Sequence, residues 1–181
     1  NEPHDLTPET SWFDMAQASI NAIREVDTNT LIMVGGNDWS SAERWIEQSD
    51  TLKYLKDPAN NLAFEAHVYF DKDASGTYKY SYEEEECYPE KGIDRVKPFV
   101  EWIKQNKFHG FIGEYGIPDN DPRWNETLDL FLGYLQENGI NGTYWAAGPW
   151  WDTYFMAITP KDGKDRPQMP IIEKYTSTLK K

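Results

Sequence analysis

The strongest constraint on the fold is an alternation between two hydrophobic periods along the 181 residues. Phe13, Ala16, Ile20 and Ile23 make one helical stripe within Pro8 to Val26, with Pro8 in the first turn, where its missing N–H is harmless. Thr30 to Val34 is then a short continuous apolar run ending at Gly35-Gly36, the pattern of a strand buried on both faces. Ser40-x-x-Glu43 reads as a capping box opening a short helix at Trp45 and Ile46. A second strand is expected over Leu62 to Tyr69, followed by a polar loop from Asp71 to Lys91 too soluble for the core. Ile93, Val96, Val100 and Ile103 mark the next helix, and Gly110 to Glu114 a third strand. Trp124, Leu128, Phe131, Leu132 and Leu135 mark a helix stopped at Asn138-Gly139; Gly142 to Ala146 is a fourth strand and Met169 to Leu179 a closing helix.

Strands separated by helices of this length imply parallel pairing through right-handed crossovers. Two α/β architectures fit: a doubly wound open sheet, or part of a (β/α)8 barrel. No Gly-x-Gly-x-x-Gly or phosphate loop follows a strand, which removes the main support for a dinucleotide fold. No composition break or internal repeat divides residues 1–181, so they read as one unit. A complete eight-stranded barrel usually needs roughly 250 residues, more than are present.

Composition narrows the partners. The 18 basic and 31 acidic residues give a formal charge of −13, which repels phosphate backbones and anionic lipid. No apolar run approaches the roughly 20 residues a membrane span needs. Neither nucleic acid nor membrane is expected as a partner. Aromatics reach 15% of the chain, with 8 Trp and 11 Tyr. Such a surplus suits either an aromatic-rich core or a neutral ligand with apolar faces, such as a sugar. Cys87 is the single cysteine, so neither an intrachain disulfide nor a cysteine metal motif is possible, and its acidic neighbours would raise the thiol pKa.

In parallel α/β folds, chemistry gathers at the carboxyl ends of the strands. Those ends carry Asn37 and Trp39, then His67 and Tyr69, then Glu114 and Tyr115, then Trp145, while Asn1-Glu2-Pro3 stands where the end of a preceding strand would lie. A carboxylate closing a buried strand, as Glu114 does, is costly unless paired or functional. Glu2 at a helix start could equally be a dipole partner. His67 and Tyr69, two apart on a strand, point to one side and could be a core pair. His67 with Glu65 and His109 is too unspecific for a metal site, so no metal or cofactor is expected. Trp150-Trp151 falls in a loop rather than on a periodic face, which favours ligand contact. Two carboxyl groups with a His, a Tyr and Trp platforms are what glycoside hydrolysis needs: one group protonated for the leaving oxygen, another ionised to attack the anomeric carbon.

On these residues the chain resembles the family 5 glycoside hydrolases, retaining (β/α)8-barrel enzymes. Asn1-Glu2-Pro3 is similar to the family's strand-4 motif, His67-Val68-Tyr69 to its strand-6 His-x-Tyr, and Gly113-Glu114-Tyr115-Gly116 to its strand-7 motif. Trp145 stands in the place of the strand-8 Trp, and Trp39 is similar to an aromatic found after strand 5. The stretch Tyr69 to Thr77 and Gly148-Pro-Trp-Trp151 resemble the cellulases of the family. The resemblance implies the C-terminal portion of the barrel, from the end of strand 4 through strand 8 and a final helix, with strands 1 to 4 absent but for the tail of strand 4.

It further implies Glu2 as acid/base and Glu114 as nucleophile, roughly 5–5.5 Å apart in a retaining enzyme. Asn1, Trp39, His67, Tyr69, Trp145, Trp150 and Trp151 would bind a β-glucan substrate. The expected activity is retaining hydrolysis of internal β-1,4-glucosidic bonds in cellulose-type chains. It should require the N-terminal half of the barrel, on the same or a separate chain, because the family's strand-2 Arg and strand-3 His have no counterpart here. These residues alone would then be inactive. A secreted location follows from a polymeric substrate, with slight support from sequons at Asn125 and Asn141. Two other readings stay open: a non-catalytic carbohydrate-binding or scaffold fragment, and a mannanase or xyloglucanase of the same family.

Overall fold

A computed structural model describes residues 1–7 and 9–176. Helices α1 (Trp12–Arg24), α2 (Asn37–Ser40), α3 (Trp45–Ser49), α4 (Lys91–Asn106), α5 (Arg123–Glu137) and α6 (Met169–Tyr175) alternate with strands β1 (Ile32–Gly35), β2 (Leu62–Tyr69), β3 (His109–Gly116) and β4 (Asn141–Tyr144). The strands follow the order β1-β2-β3-β4, and β1 pairs with β2 in parallel, Ile32 opposite Leu62 and Gly35 opposite Glu65. The chain divides into two compact units: residues 1–67 with 96–113, and residues 68–95 with 114–181. β2, β3 and α4 each run from one unit into the other.

The first unit is built around aromatic rings. Trp45 packs edge-on against Phe64, Phe99 and Trp102, and Phe108 closes the cluster against Phe64 and Trp102. Edge-to-face contacts of this kind add to what area burial supplies. Helix α1 begins later than its stripe suggested: Ser11 caps it by accepting the Asp14 amide, and Pro8 lies outside the described residues. Trp12 Nε1 donates to the Gly35 carbonyl at 2.8 Å, fixing α1 against β1. Arg24 is buried and paired with Asp57, Nε to Oδ1 at 2.7 Å, and also donates to the carbonyls of Asp27 and Thr30.

The capping box does not form. Ser40 Oγ instead donates to the carbonyl of Asn1, 39 residues away, and Ser41 Oγ accepts the Arg44 amide. The preceding turn is left-handed at three non-glycine residues in succession, Asp38, Trp39 and Ser40, each with φ of 55°. L-residues adopt this conformation reluctantly, and here the N-terminal segment reinforces it, because the Trp39 amide donates to the Pro3 carbonyl.

The second unit has its own core. Phe131 packs on Phe70 and Tyr115, and Trp124 on Tyr78 and Tyr82. α6 is tied to α5 by Lys174 and Tyr175, which both donate to Asp129. The closing helix ends at Tyr175, and residues 177–179 of its expected span lie outside the described residues.

The loop from Asp71 to Lys91 is polar in sequence yet partly core. Asp71, Tyr78, Tyr82, Glu85 and Lys91 are all buried. Asp71 accepts the amides of Gly76, Thr77 and Tyr78 and the hydroxyl of Ser75, so its charge is solvated by the loop's own backbone. Glu85 likewise accepts the amides of Lys72 and Tyr80. Burial, and not its acidic neighbours, pushes the Cys87 thiol above its ordinary range, against hydrogen bonds with Tyr82 and Thr127 and the Lys91 charge, which pull it down.

Candidate active site

The two candidate carboxylates, Glu2 and Glu114, belong to different units. In the first unit Glu2 follows Asn1 on the segment that the left-handed turn holds in place. Its Oε1 lies 2.6 Å from His67 Nδ1, and its side chain is 33% exposed. His67 is buried, and its other ring nitrogen, Nε2, lies 2.6 Å from Glu65 Oε1. Asn1 lines an open groove of about 420 Å³ with Trp12, Ile20, Met33, Glu65 and Phe111. Trp39 is 42% exposed and stacks face to face on His4, ring centroids 4.5 Å apart.

In the second unit Tyr69, the last residue of β2, donates its hydroxyl to Glu114 Oε2 at 2.8 Å. Burial, helped by the Glu114 charge, holds the Tyr69 phenol far above its ordinary range, so it stays a donor at all working pH values. Glu114 is half-buried near the end of β3, beside Gly116, where a Cβ would meet the Trp145 carbonyl oxygen at 2.4 Å. Trp145 follows β4, its amide donating to the Tyr115 carbonyl at 2.8 Å, and the Trp145–Ala146 peptide is cis. Its ring packs edge-on against Trp151, which in turn meets Tyr154. Trp150, 90% exposed, stands out into solvent.

Tyr69 is bonded to Glu114, and His67 bonds both Glu2 and Glu65. Glu65 is the residue that sequence reasoning underrated, weighing it only as a metal ligand. Its signal is periodicity: residues 65, 67 and 69 share one side of β2. The aromatic surplus has a mixed explanation, since Trp45, Trp102 and Trp124 are fully buried core while Trp39 and Trp150 are exposed.

A sequence model of the cellulase family, glycosyl hydrolase family 5, matches residues 1–150. Endo-beta-1,4-glucanase B of Aspergillus niger is 35% identical over 180 residues, covering 97% of this chain and 52% of the relative. The crystal structure of Pseudomonas stutzeri endoglucanase Cel5A in complex with cellobiose superposes with a TM-score of 0.90 at 44% identity, covering 98% of this chain and 53% of that one. The structure of XacCel5A in complex with cellopentaose gives 0.85 at 39% identity, covering 97% and 57%. The chain spans about half the length of the curated relatives it matches.

Proposed function

The chain belongs to the cellulase family of glycosyl hydrolases, family 5, with the fold of the C-terminal portion of a (β/α)8 barrel, and from that premise we propose that it carries both catalytic carboxylates of a retaining endo-β-1,4-glucanase. Glu114 attacks the anomeric carbon and forms a glycosyl-enzyme intermediate while Glu2 protonates the leaving glycosidic oxygen; Glu2 then takes the proton of the attacking water. The observation that carries this reading is that each carboxylate, at a strand end or its equivalent, has a hydrogen-bonding partner of the right type: the Tyr69 hydroxyl for Glu114 and the buried His67 ring for Glu2. A hydroxyl donor aims a nucleophilic carboxylate at the reacting carbon. Asn1 bonds the sugar 2-hydroxyl, and Trp39, Trp145, Trp150 and Trp151 stack on pyranose faces.

The substrate is a β-1,4-glucan, a reading supported by relatives solved with cellobiose and cellopentaose. Activity requires the N-terminal half of the barrel. Support comes from the length of the relatives and from two open grooves, one against β1 lined by Trp12, Ile20 and Met33, the other against β4 lined by Leu135, Ile140 and Ile172. Secretion follows from the size of the substrate; among the described residues no helix is long and apolar enough to cross a membrane.

The test is chemical. A 2-fluoro-cellobiosyl fluoride should label Glu114 in the active protein, proton NMR should report a β-configured first product, and Glu114→Gln should abolish hydrolysis while oligosaccharide binding persists. Hydrolysis surviving in Glu114→Gln, or an α-configured product, overturns the mechanism. Binding with no hydrolysis, even when the N-terminal half is supplied, would favour a carbohydrate-binding fragment instead.

A further inference from the structure

We infer that Glu65 is a positioning residue for proton transfer at Glu2, acting through His67. The inference rests on the acid/base reading of Glu2 and deepens it. Both ring nitrogens of His67 face carboxylate oxygens at 2.6 Å, Nδ1 towards Glu2 and Nε2 towards Glu65. Contacts this short between a ring N–H and a carboxylate are charge-assisted, and they are satisfied together when both nitrogens donate. Glu65 supplies the counter-charge that this arrangement needs, since its side chain is only 12% exposed and the His67 side chain 3%. Buried charges persist in pairs.

The consequence for Glu2 is geometric. His67 Nδ1–H occupies Oε1 of Glu2, which leaves Oε2 as the oxygen that carries the proton destined for the leaving group. When that proton departs, Glu2 becomes a carboxylate and the bond from Nδ1–H strengthens, so the support grows along the reaction coordinate. The proton moves from Glu2 Oε2 to the glycosidic oxygen, and His67 and Glu65 keep theirs.

The backbone is shaped around the Glu65 carboxylate. Its neighbours on the adjacent strands are both glycines: Gly35, opposite it on β1, and Gly113 on β3. A Cβ on Gly113 would lie 1.6 Å from Glu65 Oε1, and one on Gly35 would lie 3.4 Å from Glu65 Oε2. Two strands without side chains at these positions make a niche that a carboxylate fills.

The experiment compares two leaving groups in the catalytically competent protein. Dinitrophenolate departs from an aryl cellobioside without protonation, whereas a cello-oligosaccharide needs the acid. Glu65→Gln, nearly isosteric, should lower kcat/KM on the oligosaccharide by about ten- to a hundredfold, a share of the roughly 10²–10⁴ that general acid–base assistance supplies, and leave the aryl substrate within about twofold. Glu2→Ala should show the same split more strongly. If Glu2→Ala splits the substrates and Glu65→Gln lowers both alike, or neither, Glu65 has no such role and the reading of Glu2 stands. If Glu2→Ala fails to split them, the acid/base assignment falls and this inference with it. Imidazole ¹⁵N spectra give an independent check: His67 Nε2 should carry a proton, and an unprotonated Nε2 overturns the proposal whatever the kinetics.

Discussion

Tyr69 closes β2 with a hydrogen bond from its phenolic O–H to Glu114 on β3, 2.8 Å away. Removing a hydrogen bond to an ionised carboxylate is worth about 1.5–3 kcal/mol, or roughly ten- to a hundredfold in rate. Tyr69→Phe is therefore expected to lower kcat/KM by that factor on activated and unactivated substrates alike, because it acts on the nucleophile. Steady-state kinetics on both substrate types check this. The phenol itself should stay protonated: in an ultraviolet titration, Tyr69 should remain un-ionised at the pH where a free tyrosine has already lost its proton.

Gly113→Ala should mimic the loss of Glu65. The new methyl group would stand where Glu65 Oε1 now sits, so the carboxylate must swing away. Overpacking of this kind costs about 1–3 kcal/mol. Thermal melts should report that loss, and the combination with Glu65→Ala should recover part of it, since the clash disappears with the side chain.

Acid should destabilise the first unit through Asp57. Hydrogen bonds from the Arg24 guanidinium hold its carboxyl well below the usual carboxylate range, and the amides of Asn61 and Ala59 add to this. A carboxyl whose folded pKa is depressed stabilises the fold above its unfolded value, near 4, and that stability drains away as pH falls below it. Asp27 behaves alike, pulled down to about 2 by hydrogen bonds from Thr30 and Asn29. Asp57→Asn should lower Tm by on the order of 10 °C at neutral pH. The gap from the parent should narrow as pH drops under about 4, which calorimetry across that range will read.

Asp71→Ala should loosen the segment that follows β2. It orphans the buried amides of Gly76 and Tyr78 and takes one acceptor from the exposed Thr77 amide and Ser75 hydroxyl, which still meet each other. At about 1–3 kcal/mol for each buried group left unpaired, the loop opens before the rest unfolds. Limited proteolysis should cut between residues 72 and 85 in the variant and spare the parent.

The strand ends that carry Glu114, His67 and Tyr69 were legible because period and punctuation agree there: each apolar run stops at a reactive residue. β4 was placed a residue or two late, since Trp145 and Ala146 continue its apolar pattern after the pairing has ended. What escaped is non-local. Ser40 looks like a cap until Asn1 comes within reach of its hydroxyl. The polar stretch after β2 looks like solvent-facing loop because nothing local says that Asp71 and Glu85 will be solvated by amides instead of water. Glu65 was underrated for the same reason, as its meaning lies in a ring two residues on and in glycines on two other strands.

The seating of Tyr78 limits how this molecule can be re-engineered. Its hydroxyl accepts the Phe70 amide and donates to the Gly116 carbonyl at 2.6 Å, so one excursion of chain is bolted at both its origin on β2 and the end of β3. Loop exchange between related proteins, a common route to altered specificity, would fail here if the cut fell anywhere between the Asp71 carboxylate and that tyrosine. The transplantable cassette is the whole stretch from residue 70 to 91, moved together with a glycine at the receiving strand end.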